Sequence, residues 1–223
     1  MVHIIRSFER PEAAIVKEIS QYAPSTLHEA QGRTRALTSR IKPIYSCMRA
    51  CGPALTASCH PSDNLMLITA ISLAQPGDVL IVSAGDHPEQ GGFGEVLTTA
   101  CMAKGIVGLV TDAGVRDGLA IRKRGFNVFC YGLSMKGTVK ETLGTINQPI
   151  VIGGVAINPG DIVSADDDGV VVVPKSNLAG VIKASAAREA KEAQVMAALE
   201  AKGDILELSG MDKVLAAKNC TYG

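Results

Sequence analysis

Val79-Leu80-Ile81-Val82-Ser83, followed by Gly85-Asp86-His87-Pro88-Glu89-Gln90-Gly91-Gly92-Phe93-Gly94 and then by Glu95 to Lys104 closed with Gly105, decides the fold. The first run is apolar and β-branched, as a strand buried on both faces requires. The second is rich in Gly and Pro and reads as a loop. The third carries helix-forming residues and ends on a glycine. A further strand is expected over Ile106–Thr111, a turn at Asp112-Ala113-Gly114-Val115-Arg116-Asp117, and a short helix over Leu119–Arg124 ended by Gly125. A strand over Asn127–Tyr131 follows. Strand, helix, strand, helix, strand at this spacing is the signature of parallel pairing through helical crossovers.

Outward from this unit, helices are predicted over Pro11–Tyr22 and from a capping Ser25 to Gly32. A strand is expected over Pro53–His60, and an apolar helix over Leu65–Ala74 capped by Asp63. Downstream the character changes. Ile150–Ile152, Val155–Ile157, Asp161–Ser164 and Val170–Val173 are short apolar runs separated by Gly153-Gly154, Asn158-Pro159-Gly160 and Asp167-Asp168-Gly169. Turns this close permit antiparallel hairpins and leave no room for crossovers. Ser176 opens a long helix to about Lys202. With no low-complexity linker or charge block, the reading is a single layered α/β domain over 1–223, distinct from a regular dinucleotide-binding sheet.

Composition narrows function. The 223 residues carry 22 Lys+Arg against 22 Asp+Glu, so no net field draws the chain to nucleic acid or anionic lipid. Aromatics are 4% and Trp is absent, leaving few platforms for stacking bases. No apolar run approaches the roughly 18 residues of a membrane span, and the N-terminus lacks a secretory pattern, so a cytoplasmic protein is expected. The six cysteines form no C-x-x-C pair and read as reduced thiols.

Three places can carry chemistry. The Gly85–Gly94 loop runs into a helix N-terminus, where free N–H groups and the dipole attract an anion such as a carboxylate. It is neither a P-loop, since Glu95-Val96 follows Gly94, nor a dinucleotide fingerprint, since Leu97 stands where a third glycine is needed. Arg116-Asp117 offers a guanidinium fork for a carboxylate and a hard oxygen for Mg²⁺ or Mn²⁺. The plainer alternatives are a local ion pair, or Asp117 capping the helix at Leu119. On the C-terminal helix, Leu178, Ile182, Ser185, Glu189, Glu192, Met196 and Leu199 share one stripe, which places two carboxylates either on a face that packs on another surface, such as a second subunit, or on a part of the helix that protrudes into solvent. Asp166-Asp167-Asp168-Gly169 reads as a hairpin turn, lacking calcium-loop spacing. His28, Glu29 and His87 are either proton-transfer groups or structural ones.

Five stretches in order, His28-Glu29-Ala30-Gln31-Gly32-Arg33, Gly92-Phe93-Gly94-Glu95, Asp112-Ala113-Gly114-Val115-Arg116-Asp117, Ala165-Asp166-Asp167-Asp168-Gly169-Val170 and Ala187-Arg188-Glu189-Ala190-Lys191-Glu192, resemble the 4-hydroxy-4-methyl-2-oxoglutarate / 4-carboxy-4-hydroxy-2-oxoadipate aldolases. These are divalent-metal pyruvate aldolases of aromatic-compound catabolism, related to the regulator of ribonuclease E activity A. The resemblance implies a β/β/α layered, swivelling-type fold with a long C-terminal helix, assembled as trimers or hexamers with sites between subunits. It implies that Asp117 binds Mg²⁺ or Mn²⁺ directly, and that Glu95 and a neighbouring subunit's Glu192 reach the ion through water. It further implies that Arg116 holds substrate and steadies enolate charge, with N–H groups near Gly94, Val96 and Leu97 cradling the pyruvyl carboxylate. The expected reaction splits a 4-hydroxy-2-oxo acid into pyruvate and a second 2-oxo acid, with oxaloacetate decarboxylation as a secondary activity. A dedicated oxaloacetate decarboxylase and a non-enzymatic binder of ribonuclease E are the alternatives. A distal carboxylate would need a further cation, for which Arg33, Lys136, Lys140 and Arg188 are the candidates.

Overall fold

The computed structural model describes residues 2–222. Two short helices, α1 (Ala13–Ile19) and α2 (Pro24–Ala30), lead to strands β1 (Lys42–Pro43) and β2 (Ala50–Ser58). The central unit follows as α3 (Leu65–Leu73), β3 (Val79–Gly91), α4 (Glu95–Ala103), β4 (Gly108–Val115), α5 (Gly118–Arg124) and β5 (Asn127–Cys130). Strands β6 (Gly132–Leu133), β7 (Thr145–Ile146), β8 (Ile150–Ile152), β9 (Val155–Ile157), β10 (Ile162–Asp166) and β11 (Gly169–Val173) come next, and then helices α6 (Leu178–Glu200), α7 (Ile205–Ser209) and α8 (Met211–Ala217). No helix among the described residues is long and apolar enough to cross a membrane.

A nine-stranded sheet in the order β1-β5-β4-β3-β2-β10-β11, with β6 and β7 attached to β4 and β2, organises the chain. β2, β3, β4 and β5 are mutually parallel, and the three connections between them are α3, α4 and α5, as the crossover spacing required. β10 and β11 form the expected hairpin, antiparallel to β2. β8 and β9 form a separate hairpin. The alternation along β11 separates two cores. Val170 and Val172 join the main core beneath α3 and α4, while Val171 and Val173 pack with Ile19, Leu27, Leu178 and Val181 beneath α1, α2 and α6.

The sheet differs from the sequence reading at its centre. The Gly85–Gly94 segment was expected to be a loop and the Asp112–Val115 segment a turn. Instead β3 runs on to Gly91 and β4 to Val115, paired through His87–Ala113 and Gly91–Gly114 with two irregularities of register. Side chains make this possible by taking up the backbone groups that the bulges release. The Asp112 carboxylate accepts from the N–H groups of Ala84 (2.5 Å) and Asp86 (3.1 Å), and Gln90 bridges Ser62 N–H and Ala84 C=O. Burial pushes the Asp112 carboxyl above the usual carboxylate range, against these bonds and the Ser83 hydroxyl. The helix from Ser25 is also corrected: Pro24 occupies the first turn and Ala23 precedes it.

α6 is embedded for its first two turns, through Leu178, Val181, Ile182 and Ser185, and then runs out into solvent. The stripe continues as Glu189, Glu192, Met196 and Leu199, with Met196 57% exposed. α7 and α8 were not anticipated. Asp204 caps α7 by accepting from the N–H groups of Leu206 and Glu207. All six cysteines are free thiols, and burial pushes Cys59 and Cys101 up to about 12.

The N-terminal segment is fastened by main-chain bonds of His3 and Ile5 to Ile146 and, further on, by a buried ion pair. Arg10 donates from Nε (2.8 Å) and Nη2 (2.7 Å) to the fully buried Asp78, which also accepts from Gln75 N–H. Replacing Arg10 with Met leaves a buried carboxylate without its cation. Denaturant unfolding of Arg10→Met is therefore expected to show a loss of about 3 kcal/mol.

Candidate active site at the end of β4

β4 delivers Arg116 and Asp117 at its carboxyl end, where ligands collect in open α/β sheets. Asp117 adopts a left-handed backbone (φ 61°), which turns its side chain away from the helix it precedes. It occupies the N-cap position of α5, yet its carboxylate caps nothing there. Oδ2 instead accepts from the N–H of Glu95, the first residue of α4, at 3.0 Å. The plain capping alternative is thereby set aside. The local ion-pair alternative is reduced to a long contact, Arg116 Nε to Asp117 Oδ2 at 3.9 Å, between half-exposed groups. The Arg116 N–H is itself fixed by Phe93 C=O at 2.8 Å.

Gly94 makes the arrangement possible. A Cβ at this position would lie 2.4 Å from Asp117 Oδ2 and within 3.2 Å of Arg116 Cγ and Nε. The first intrahelical bond of α4 runs from Thr98 N–H to Gly94 C=O, so the N–H groups of Val96 and Leu97 have no acceptor within the helix. No side chain caps this end. A cleft of about 260 Å³ opens over it, lined by Gly94, Val96, Leu97, Arg116, Asp117 and Lys140, among others. That volume lies just below the roughly 300–1,000 Å³ of pockets for drug-sized ligands and suits a small acid.

A hard divalent cation fits this corner. Oδ1 of Asp117 has no partner among the described residues, and the missing Cβ of Gly94 is what admits Oδ2 against the start of α4. Among the described residues no three His, Cys, Asp or Glu side chains gather as a complete ligand set. One carboxylate with several waters is a normal complement for Mg²⁺.

Glu95 lies beside Asp117, the proximity that the resemblance implied, but its side chain is engaged. Arg124, the last residue of α5, donates to Glu95 Oε1 from Nε (3.0 Å) and Nη2 (2.8 Å). Sequence reading missed Arg124, which ends a basic run, Arg122-Lys123-Arg124, suited simply to a helix C-terminus. No local periodicity links residues 29 positions apart. Glu192 is not brought to this corner within the chain. It pairs with Arg188 on α6 at 2.6 Å, and Arg188 pairs in turn with Glu29 on α2 at 3.3 Å.

The four candidate cations are sorted by the same contacts. Arg33 and Arg188 are held by Glu29, and Lys136 by Glu89. Lys140 lines the cleft and has no carboxylate partner among the described residues. The Arg33 hydrogen bond, helped by the charges of Arg33 and Arg188, outweighs burial and holds Glu29 below the usual range. His28 faces Thr34 C=O at 3.1 Å, outside the cleft.

Fold and cleft thus define an α/β protein with an uncapped helix N-terminus facing an arginine–aspartate pair. Comparison with known proteins gives the family. A family profile described as RraA-like, Aldolase/RraA, matches residues 14–172, and the chain belongs to that family. A Halalkalibacterium halodurans protein named "Putative 4-hydroxy-4-methyl-2-oxoglutarate aldolase" is 35% identical over 156 residues, covering 70% of this chain and 74% of that one. Streptomyces coelicolor RraAS2, described as an unusual member of the RNase ES inhibitor RraA protein family, superposes with a TM-score of 0.75 at 30% identity. The match covers 83% of this chain and 97% of that one. A Pseudomonas syringae protein shares the fold, with a TM-score of 0.83 at 23% identity over 92% of this chain and 97% of that one.

Alanine at Gly94 tests the cradle directly. Gly94→Ala is expected to displace the Asp117 carboxylate and weaken Mn²⁺ binding at least tenfold in a titration followed by electron paramagnetic resonance, with the melting temperature nearly unchanged.

Proposed function

We propose that this chain is a divalent-metal-dependent lyase that cleaves 4-hydroxy-2-oxo acids, such as 4-hydroxy-4-methyl-2-oxoglutarate or 4-carboxy-4-hydroxy-2-oxoadipate, to pyruvate and a second 2-oxo acid. The observation that carries the reading is the Asp117 carboxylate, turned by its left-handed backbone onto Glu95 N–H beside the open end of α4. The name of the Halalkalibacterium relative supports the same chemistry.

In this reading the N–H groups of Val96 and Leu97 receive the substrate carboxylate, helped by the α4 dipole. Asp117 would hold a Mg²⁺ or Mn²⁺, which would supply Lewis acidity when bound. Arg116 lies where negative charge grows as the C3–C4 bond breaks and its electron pair moves onto the pyruvyl fragment. The C4 hydroxyl proton leaves to a water held by Glu95, and the same water returns a proton to C3 to give pyruvate. Loss of CO₂ from oxaloacetate yields the same enolate without a base, so decarboxylation is the expected secondary activity. Lys140 would bind the distal carboxylate. The exposed half of α6, with Glu192, would be offered to a neighbouring copy in a trimer or hexamer.

A second reading, a partner-binding regulator without turnover, is favoured by the likeness to Streptomyces coelicolor RraAS2. A coupled pyruvate-release assay separates the two. Chelation with EDTA and the Asp117→Ala substitution are each expected to reduce pyruvate release more than about 100-fold. Full turnover in EDTA would remove the metal from the mechanism, and no turnover under any condition would leave the regulator. Lys140→Gln is expected to raise KM for a dicarboxylic substrate about tenfold, the value of one charge-assisted hydrogen bond, with kcat within a factor of three.

A further inference from the structure

We infer that Arg124 is a positioning residue for Glu95, an assignment that rests on the lyase reading above. Three observations carry it. Both donors of Arg124 converge on one oxygen of Glu95, Oε1, leaving Oε2 without a partner among the described residues. The same Glu95 gives its backbone N–H to Asp117, so the two ends of α5 grip one residue, Asp117 through the main chain and Arg124 through the side chain. Finally, Glu95, Asp117 and Arg124 line a common open hollow, which shares Asp117 with the cleft that holds Lys140, so the ion pair stands at a water-accessible surface next to the candidate ligand carboxylate.

The neighbours of Arg124 show that its direction is particular. Arg122, Lys123 and Arg124 all lie in the last turn of α5, where any cation suits the helix dipole. Arg122 stacks over Tyr45, with its guanidinium 5.7 Å from the ring centre, while Arg124 turns to α4. Gly125, in the left-handed region (φ 70°), stops the helix directly after Arg124 and fixes where its side chain starts.

Energetics separate positioning from stability. The pair is 39% and 45% exposed, and exposed ion pairs add at most about 1 kcal/mol to folding. A carboxylate left free to rotate, by contrast, no longer presents one fixed acceptor. Losing the partner of such a carboxylate beside a metal typically costs about 10–100-fold in metal affinity or activity. Arg124 therefore acts on Glu95, and through it on water at Asp117, without touching substrate.

The test compares wild type with Arg124→Gln, Arg124→Lys, Glu95→Gln and the double variant Arg124→Gln/Glu95→Gln. Steady-state pyruvate release, Mn²⁺ titration and thermal melting are measured on each. Expected are a tenfold or greater fall in kcat for Arg124→Gln with KM within threefold, partial rescue in Arg124→Lys, and a double variant no worse than the weaker single one. Mn²⁺ affinity should fall about tenfold in Arg124→Gln, with melting shifted by no more than a few degrees. Wild-type Mn²⁺ affinity in Arg124→Gln overturns the inference, as do losses that add to those of Glu95→Gln, a loss confined to KM, or a loss that follows melting. If wild type binds Mn²⁺ but releases no pyruvate, the lyase reading fails, and the Mn²⁺ titration still decides the role of Arg124.

Discussion

The bond from Glu95 N–H to Asp117 Oδ2 is the contact on which the site depends. It joins the start of one crossover helix to the end of the neighbouring strand. It exists only because Asp117 accepts a left-handed backbone, a conformation that costs an L-residue of this kind about 1 kcal/mol or more. An ordinary N-cap would have turned the carboxylate back onto α5 and closed the end of β4. The strained geometry instead directs a hard oxygen across to α4, leaves its partner oxygen unbonded, and keeps Arg116 alongside. Gly94 is the counterpart of that strain, since the carboxylate occupies the space a side chain would fill.

Much of this is legible in the sequence. The crossover unit, the closing hairpin and the long last helix follow from period, turn residues and glycine stops. Arg116, Asp117, Glu95 and the α4 N-terminus were all singled out, and all meet at one corner. The continuation of β3 through Gly85–Gly91 was not legible, because Gly and Pro argue for loops and the compensation depends on contacts made only in the folded chain, by Asp112 from β4 and by Gln90 from within the segment. Asp112 and Gln90 stabilise the bulges, and nothing near the bulges in sequence announces either role. Arg124 was hidden for a similar reason, being one of three successive basic residues of which the tertiary structure selects one.

Buried acids perform a common task elsewhere in the chain. Burial raises Asp63, but the N–H groups of Leu65, Glu141 and Thr142 outweigh it and hold its carboxyl below the usual range. One side chain thus starts α3 and fastens the segment that carries Lys140. Asp161 does the same between Asn158 and Lys175, ahead of α6. In both places irregular backbone is organised by a buried carboxylate that takes up main-chain N–H groups.

The sheet's rim has a further consequence. Residues 35–37 bond to the outer side of β11, and a few residues later the same segment forms β1 against β5. Lys42 Nζ reaches Asp168 C=O, and Cys47 N–H reaches the Asp167 carboxylate, which draws the two margins of the sheet together. A ribbon whose margins are stitched by its own chain offers little unpaired backbone for recruiting a stranger's strand. The main sheet is therefore poorly suited to edge-to-edge pairing with a second copy, and the separate β8–β9 hairpin is the part of the β-structure left outside this closure.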